Sequence, residues 1–311
     1  MSNETNPAVE FIEQLIKRLF DAIIRGDYNY DRDMKSLIRY REQAQKLDHT
    51  LLEARVLNIM GILCGLSGRS DESEQFLLQI VEIYKTLNDT NGLVAAYGNL
   101  YNFNVLHGRY EIAYDYIERA LALKTEQDHL FLLSNKMTLL LFQDRYDEIE
   151  VCYEEVKKIA EKPIDNARKD IFARFMSSVY RTMAEVHIYR QQQEEAVRAI
   201  NMAHGFAQGL NLTFELADIY YTYAHIALSN HDKEQAEIYW SKAHDVIKDT
   251  NSPLQVGRDY LEEAQYLKRK GFDDKSEEFA RYAFNIFEEY DMPADLELAK
   301  QLFAQTSTKI D

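Results

Sequence analysis

The chain has 311 residues, of which 46% are hydrophobic and 28% are charged, so it is long enough to bury a sizeable core. Its 11 glycines and 4 prolines are too few for the many tight turns of an all-β fold. Its formal net charge of −16 argues against non-specific binding to nucleic acid or to an anionic membrane surface. Composition therefore indicates a helical protein and leaves its ligand open.

The N-terminal segment predicts helices rather than a targeting sequence. Residues 9–24 have amphipathic spacing, and residues 31–47 form a second candidate helix. We therefore predict helices within 1–53 and leave open whether they pair as a degenerate hairpin. The first residues contain neither the basic region nor the apolar run of a signal peptide. Because two cysteines in 311 residues make no disulfide framework, a cytoplasmic location is expected.

A unit of about 40 residues repeats along most of the chain. Tyr180, Tyr220 and Tyr260 lie 40 residues apart. Three further columns share this interval, namely Ala184, Ala224 and Ala264, then Ala196, Ala236 and Ser276, and finally Ala203, Ala243 and Ala283. The apolar spacing within each unit is helical and is divided once by a turn, which predicts a helix, a short turn and a second helix. Since a lone hairpin cannot bury its apolar faces, stacked units must share a core.

The N-terminal half carries the same unit less regularly. The interval from Ser73 to Ala113 is again 40 residues, whereas Ala113 to Ile149 is 36 and Ile149 to Ala196 is 47. The excess coincides with a proline-containing connection at 161–170. The predicted organisation is three repeats in 54–162, three in 163–290, a change of stacking between them, and a C-terminal capping helix and tail in 291–311.

The repeats resemble tetratricopeptide repeats, whose pattern is W-x2-L-G-x2-Y followed by A-x3-F, A and P. The unit that matches best contains Tyr220, Tyr223, Ala224, Ala227, Ala236, Trp240 and Ala243. The resemblance covers about residues 54–287, although the period is 40 rather than 34 and the helix-ending proline is absent. It implies an all-α, right-handed superhelical solenoid of about six to seven antiparallel helix hairpins, similar to the helical arrays of bacterial signalling regulators and peptide-pheromone receptors.

Motifs for catalysis or cofactor binding are not found in the sequence. There is no phosphate-binding loop, no dinucleotide fingerprint and no nucleophile elbow. The two cysteines, Cys64 and Cys152, are too far apart in sequence to suggest a zinc thiolate site. The eight histidines are scattered. We therefore expect no enzyme activity, no cofactor and no metal.

The inner face of the array is the predicted binding site, because the resemblance implies that first helices line a concave groove. Counting along the repeat places these residues there: Asn58, Asn99, Asn102, Asn135, Thr138, Arg181, Glu185, Asp218, Tyr221, His225, Arg258 and Gln265. Asparagine offers a donor and an acceptor, so a row of them suits a peptide backbone. Arg181 and Arg258 suit a carboxylate. A merely solvated polar face is the alternative interpretation.

The function expected from this pattern is a non-enzymatic scaffold that binds a protein or peptide in the groove. The alternative is a peptide- or ligand-responsive signalling regulator of the pheromone-receptor type that acts on a partner protein. Neither nucleic acid nor a membrane is expected as a partner, and self-association is left open.

Overall fold

A computed structural model describes residues 6–24, 27–123, 129–162, 169–210, 212–250 and 252–304. Over these residues the chain forms fifteen α-helices and no strand. The predicted all-α class and helical-solenoid architecture are therefore confirmed.

The helices follow one another as short-looped pairs. They are α1 (Pro7–Ile24), α2 (Tyr30–Lys46), α3 (Thr50–Leu66), α4 (Ser70–Leu87), α5 (Thr90–Leu106), α6 (Tyr110–Ala122), α7 (His129–Phe142), α8 (Tyr146–Ala160), α9 (Lys169–Tyr189), α10 (Gln193–Gly209), α11 (Thr213–Ser229), α12 (Lys233–Ile247), α13 (Pro253–Arg269), α14 (Asp273–Glu289) and α15 (Pro293–Ala304). The six predicted repeats correspond to the successive pairs from α3–α4 to α13–α14. The helices α1 and α2 precede them, and α15 occupies the predicted capping position.

Each predicted turn contains one residue in the left-handed backbone region. The six residues and their φ angles are Gly68 (75°), Gly108 (65°), Asp144 (54°), Gln191 (59°), His231 (60°) and Gly271 (82°). Glycine takes this conformation without a Cβ penalty, and an occasional non-glycine residue tolerates it as a single position. One such residue reverses the chain between two helices, which explains how a glycine-poor sequence builds six hairpins.

The small-residue columns lie where two helices of a hairpin approach closely. Ala184, Ala224 and Ala264 are all 0% exposed. Where serine replaces alanine in the second helix, its hydroxyl donates to the facing backbone: Ser73 Oγ to Gly61 O at 2.8 Å and Ser276 Oγ to Ala264 O at 2.7 Å. The two helices of a hairpin therefore also approach closely in the serine-containing repeats, and the buried hydroxyl has a hydrogen-bond partner.

Two glycines test how tightly these helices pack. A Cβ at Gly257 would lie 2.9 Å from Cζ of the fully buried Phe287 and still closer to Cε1, so Gly257→Ala is expected to lower the free energy of unfolding by about 1–3 kcal/mol through overpacking. At Gly61 the nearest atom would be 3.5 Å away, so Gly61→Ala should be neutral or stabilise by up to about 1 kcal/mol. Urea unfolding checks both variants, and equal effects would contradict the prediction.

The chain divides into two compact units. The first comprises Met1–Ala96 and Thr250–Asp311, and the second comprises Tyr97–Asp249, so α5 passes from one to the other. In the first unit the first and last helices contact two helices in common, since α1 contacts α3 and α13, and α15 contacts α3, α13 and α14. In the second unit α7 packs against α9 and α9 against α11.

The predicted division at 162/163 falls next to a segment outside the described residues. Pro163 and the rest of 163–168 belong to that segment. The helices on either side of it, α7 and α8 before and α9 after, are in contact. The predicted change of stacking, and the assignment of 54–162 and 163–290 as separate sub-arrays, remain predictions.

Candidate ligand-binding face

The candidate face is a row of first helices in the second unit. Consecutive first helices contact each other directly, α7 with α9 and α9 with α11. The predicted site residues of this unit all lie on first helices: Asn99, Asn102, Asn135, Thr138, Arg181, Glu185, Asp218, Tyr221 and His225. We call this surface the inner row and use the term only for the second unit.

The accessible part of the inner row is polar. Asn102 is exposed, and Asn99, Asn135 and Thr138 are half-buried. Arg181 and Asp218 approach across α9 and α11, with 3.9 Å between Arg181 Nε and Asp218 Oδ2 and with side chains 21% and 34% exposed. Because this distance exceeds a hydrogen bond, the pair is weak and its guanidinium can still take a ligand oxygen.

A stronger pair lies beneath this surface. His225 Nδ1 is 2.6 Å from Glu185 Oε1, and the side chains are only 6% and 4% exposed. The two residues are 40 positions apart, so the repeat places them at equivalent heights on α9 and α11. The arrangement ties two neighbouring repeats together through a buried, charge-assisted hydrogen bond.

Burial also affects the tyrosines next to this pair. Burial raises the pKa of Tyr146, the hydrogen bond from its hydroxyl to Asp144 raises it further, and the negative charge of Glu185 adds to the same shift. Tyr221, a predicted ligand contact, is 4% exposed. Glu185, Tyr221 and His225 are thus core residues between helices, and their predicted contact with a ligand remains a prediction.

Threonines on the helices of the inner row bond to their own helices. Thr138 donates to Ser134 O at 3.1 Å, Thr182 to Ser178 O at 3.0 Å, and Thr222 to Asp218 O at 3.2 Å. Each bond runs to the carbonyl one turn earlier and satisfies the hydroxyl without a ligand.

The remaining predicted site residues belong to the first unit. Asn58 on α3 and Gln265 on α13 are half-buried. Arg258 forms a two-pronged ion pair with Asp295 of α15, at 2.8 Å from Nε to Oδ1 and 3.3 Å from Nη2 to Oδ2, and the Asp295 side chain is 3% exposed. Asp295 therefore gives Arg258 a carboxylate within the protein, and the predicted contact of Arg258 with a ligand remains a prediction.

Tyr28 lies beside this ion pair. Burial raises the pKa of Tyr28 to about 12, and the charges of Asp295 and Asp291 add to the shift while Arg258 opposes it. Tyr28, which lies just before α2, is thus within electrostatic reach of charged residues on α13 and α15.

Contacts at the hairpin turns were not predicted from the sequence. Tyr110 at the start of α6 stacks on Phe142 at the end of α7, with ring centroids 5.9 Å apart, and Tyr146 at the start of α8 stacks on Tyr189 at 3.9 Å. The detectable signal is the tyrosine that follows arginine in the turns GRY and DRY. These stacks join successive repeats and account for tyrosines outside the repeat column.

Among the described residues, no three or more histidine, cysteine or acidic side chains are grouped so that they could hold a metal ion. Cys64 and Cys152 are both buried, and burial raises the pKa of both thiols. None of the described helices is long and apolar enough to cross a membrane.

Fold and site together define a helical-hairpin repeat protein with a polar inner row. A solved structure of similar fold is the crystal structure of BtubC (BKLC) from P. vanneervenii, with a TM-score of 0.57 and 15% sequence identity; the alignment covers 71% of this chain and 91% of that chain. At this identity the likeness concerns the fold alone. No protein-family model matches the chain, and no curated protein matches it.

Proposed function

We propose that the protein is a non-enzymatic scaffold with tetratricopeptide-like repeats that binds a partner protein or peptide along the inner row. The observation that carries this proposal is the accessible polar surface on consecutive first helices, which contains Asn102, Asn135, Thr138 and Arg181. Amides there hydrogen-bond a ligand backbone, and Arg181 takes an acidic group. The low cysteine count favours a reducing, cytoplasmic location for this activity.

The accessible and the buried residues of the inner row have different roles in this proposal. Asn102 and Asn135 can reach a ligand as the chain stands, whereas Glu185 and His225 keep α9 and α11 in register beneath it. A peptide that lies across the row therefore meets neighbouring repeats whose spacing is fixed by a buried pair. Such preorganisation reduces the ordering cost of binding.

The test is a pull-down of partners from the source cell with the variant Asn102→Ala/Arg181→Ala. We expect binding of the recovered partners to fall by at least about tenfold, since two central polar contacts are lost. The matched control is Asn285→Ala/Arg198→Ala, which removes the same side chains from the exposed faces of the second helices α14 and α10. Undiminished binding by the first variant, or equal loss in the control, moves the site away from the inner row.

A further inference from the structure

The four first helices of the inner row are neighbours in chain order. Tyr101 on α5 donates its hydroxyl to Asn135 O on α7 at 2.9 Å. The rings of Phe131 on α7 and Phe175 on α9 have centroids 5.2 Å apart, and α9 contacts α11 in turn. A ligand that lies across the row therefore meets α5, α7, α9 and α11 in that order.

The charged residues of these helices are sorted by helix. Helix α5 contains no aspartate, glutamate, lysine or arginine. The one lysine of α7, Lys136, is 2.6 Å from Glu118 of the second helix α6, and its side chain is 16% exposed. Helix α11 contains two carboxylates, Glu215 and Asp218, and no lysine or arginine. Neutral polar groups thus lie on α5 and α7, and negative charge lies on α11.

Helix α9 supplies the positive charge that faces these carboxylates. Arg174 and Arg181 are seven residues apart and so lie on the same side of the helix. Arg174 Nε is 2.6 Å from Glu215 Oε1, and Arg181 Nε is 3.9 Å from Asp218 Oδ2. All four side chains are partly exposed, from 21% for Arg181 to 56% for Arg174. Across the row the surface therefore changes from neutral to positive and then to negative.

The long distance between Arg181 and Asp218 does not reflect loose packing of their helices. On either side of Arg181, the pairs formed by Arg174 and Glu185 both join α9 to α11 at 2.6 Å. These two pairs fix the separation of the helices, so the guanidinium between them is held without a hydrogen bond to Asp218. The remaining charges of α9, Lys169 and Asp170, are adjacent in its first turn and offset each other.

We propose that the inner row selects an extended segment in which an uncharged stretch comes first, an acidic side chain next and a basic side chain last, in either chain direction. This inference rests on the proposed function, because it describes the ligand of the same surface. The acidic group bonds to Arg181 on α9, and the basic group bonds to Asp218 or Glu215 on α11. A segment with the two charges exchanged places like charges together and is rejected.

The separation of the helices sets the spacing of the two ligand charges. Packed helices lie about 8–10 Å apart. An extended chain advances about 3.3 Å per residue and returns to the same side at every second residue. The acidic and basic side chains are therefore expected two positions apart, about 7 Å, because long side chains cover the remaining distance. The uncharged stretch spans the two helix steps from α9 back to α5, or about five to six residues.

Isothermal titration calorimetry with two synthetic peptides tests the charge order. Both peptides have capped, uncharged ends and eight serine, threonine and asparagine residues, followed by glutamate, serine and lysine in one and by lysine, serine and glutamate in the other. The first should bind the full chain at least about fivefold more tightly at low salt. The ratio should approach one at about 1 M salt, because exposed charges are then screened. Equal affinities at low salt, tighter binding of the second peptide, or no binding of either overturns the proposal.

A charge exchange on the protein assigns the preference to α9 and α11. The variant that should invert the preference combines Arg174→Glu, Arg181→Asp, Glu215→Arg and Asp218→Arg. Asp218→Asn alone, a smaller change, should lower the ratio at least about twofold. The matched control is Glu194→Arg/Arg198→Glu, which exchanges an exposed pair on the second helix α10 and should leave the ratio unchanged. Circular dichroism checks that each variant keeps its helices. An unchanged ratio in a folded fourfold variant and in Asp218→Asn overturns the proposal.

Asn102→Ala distinguishes this inference from the proposed function. Asn102 lies on α5, where the uncharged stretch is expected, so its loss should weaken both peptides equally and preserve their ratio. If both affinities are unchanged while the ratio persists, the charge order is supported and binding along the amides is not. If both peptides weaken but bind equally to the parent chain, the proposed function is supported and the charge order is overturned.

Discussion

Replacing Glu185 with alanine is expected to lower the free energy of unfolding by about 3–5 kcal/mol. The substitution removes the carboxylate that lies 2.6 Å from His225 Nδ1 and leaves a 6% exposed imidazole without it. A buried polar group that loses a hydrogen bond is not compensated by water, so the desolvation penalty of that bond appears as lost stability. Urea unfolding followed by far-ultraviolet circular dichroism gives the change, with the slope of the transition checked for two-state behaviour.

Two further variants separate charge from packing at this pair. Glu185→Gln retains a hydrogen-bond acceptor and should lose less stability than Glu185→Ala, by an amount that reports the charge. The double variant Glu185→Leu/His225→Leu should recover part of the loss, because both members of the buried pair are then replaced by apolar side chains.

A surface pair supplies the control for this prediction. Glu194 and Arg198 form an ion pair on α10 with side chains 82% and 72% exposed. Glu194→Ala should change stability by no more than about 0.5 kcal/mol, because exposed pairs are screened by solvent. If Glu185→Ala costs no more than Glu194→Ala, the buried pair does not stabilise the contact between α9 and α11.

The hairpin organisation was predictable because it depends on features that repeat in the sequence. The columns through Ala184 and Ala196 mark where two helices approach closely, and burial at 0% confirms both. One turn within each unit was predicted as well, and left-handed residues such as Gln191 and His231 lie in these turns. Close packing and chain reversal each require particular residue types at positions close together in the chain, so both can be recognised in the sequence.

The accessibility of the candidate site was less predictable, because two residues four positions apart share a face of a helix and can still differ in depth. Counting along the repeat placed Arg181 and Glu185 on the same face, yet Arg181 is 21% exposed and Glu185 is 4% exposed. Which of two residues one turn apart reaches solvent depends on how closely α9 and α11 pack. That packing is set by residues on both helices, which a single repeat pattern does not specify.

The repeat pattern also did not predict the partner of Arg258, which is distant in the sequence. Its place on a first helix predicted a ligand contact, but its partner Asp295 lies on α15, outside the repeats. A pairing between residues 37 positions apart that occurs once leaves no periodic signal. The sequence pattern therefore identified a position suited to a carboxylate and could not show that the chain provides that carboxylate.

Arg258→Ala is accordingly expected to lower the free energy of unfolding. Asp295, with a side chain 3% exposed, would keep its charge in a buried site after losing both bonds to the guanidinium. The free energy of unfolding should fall by about 3 kcal/mol. This value is at the lower end of the range for a broken buried ion pair, because the Arg258 side chain is itself 24% exposed and its charge is partly screened by solvent. Equilibrium unfolding of the full chain measures it. Arg281→Ala is the control in the same unit, since Arg281 pairs with Glu277 while its own side chain is 67% exposed, and it should change stability by no more than about 0.5 kcal/mol.

The double variant Arg258→Met/Asp295→Leu decides between a structural role and a ligand-binding role for Arg258. If the ion pair only joins α13 to α15, apolar residues of similar size should restore most of the stability lost in Arg258→Ala, and partner binding should be retained. If Arg258 instead holds a ligand carboxylate, Arg258→Ala should weaken binding while unfolding stays near that of the parent chain, and the apolar pair should not restore binding. Because Asp295 already occupies two of the guanidinium donors, we expect the first result.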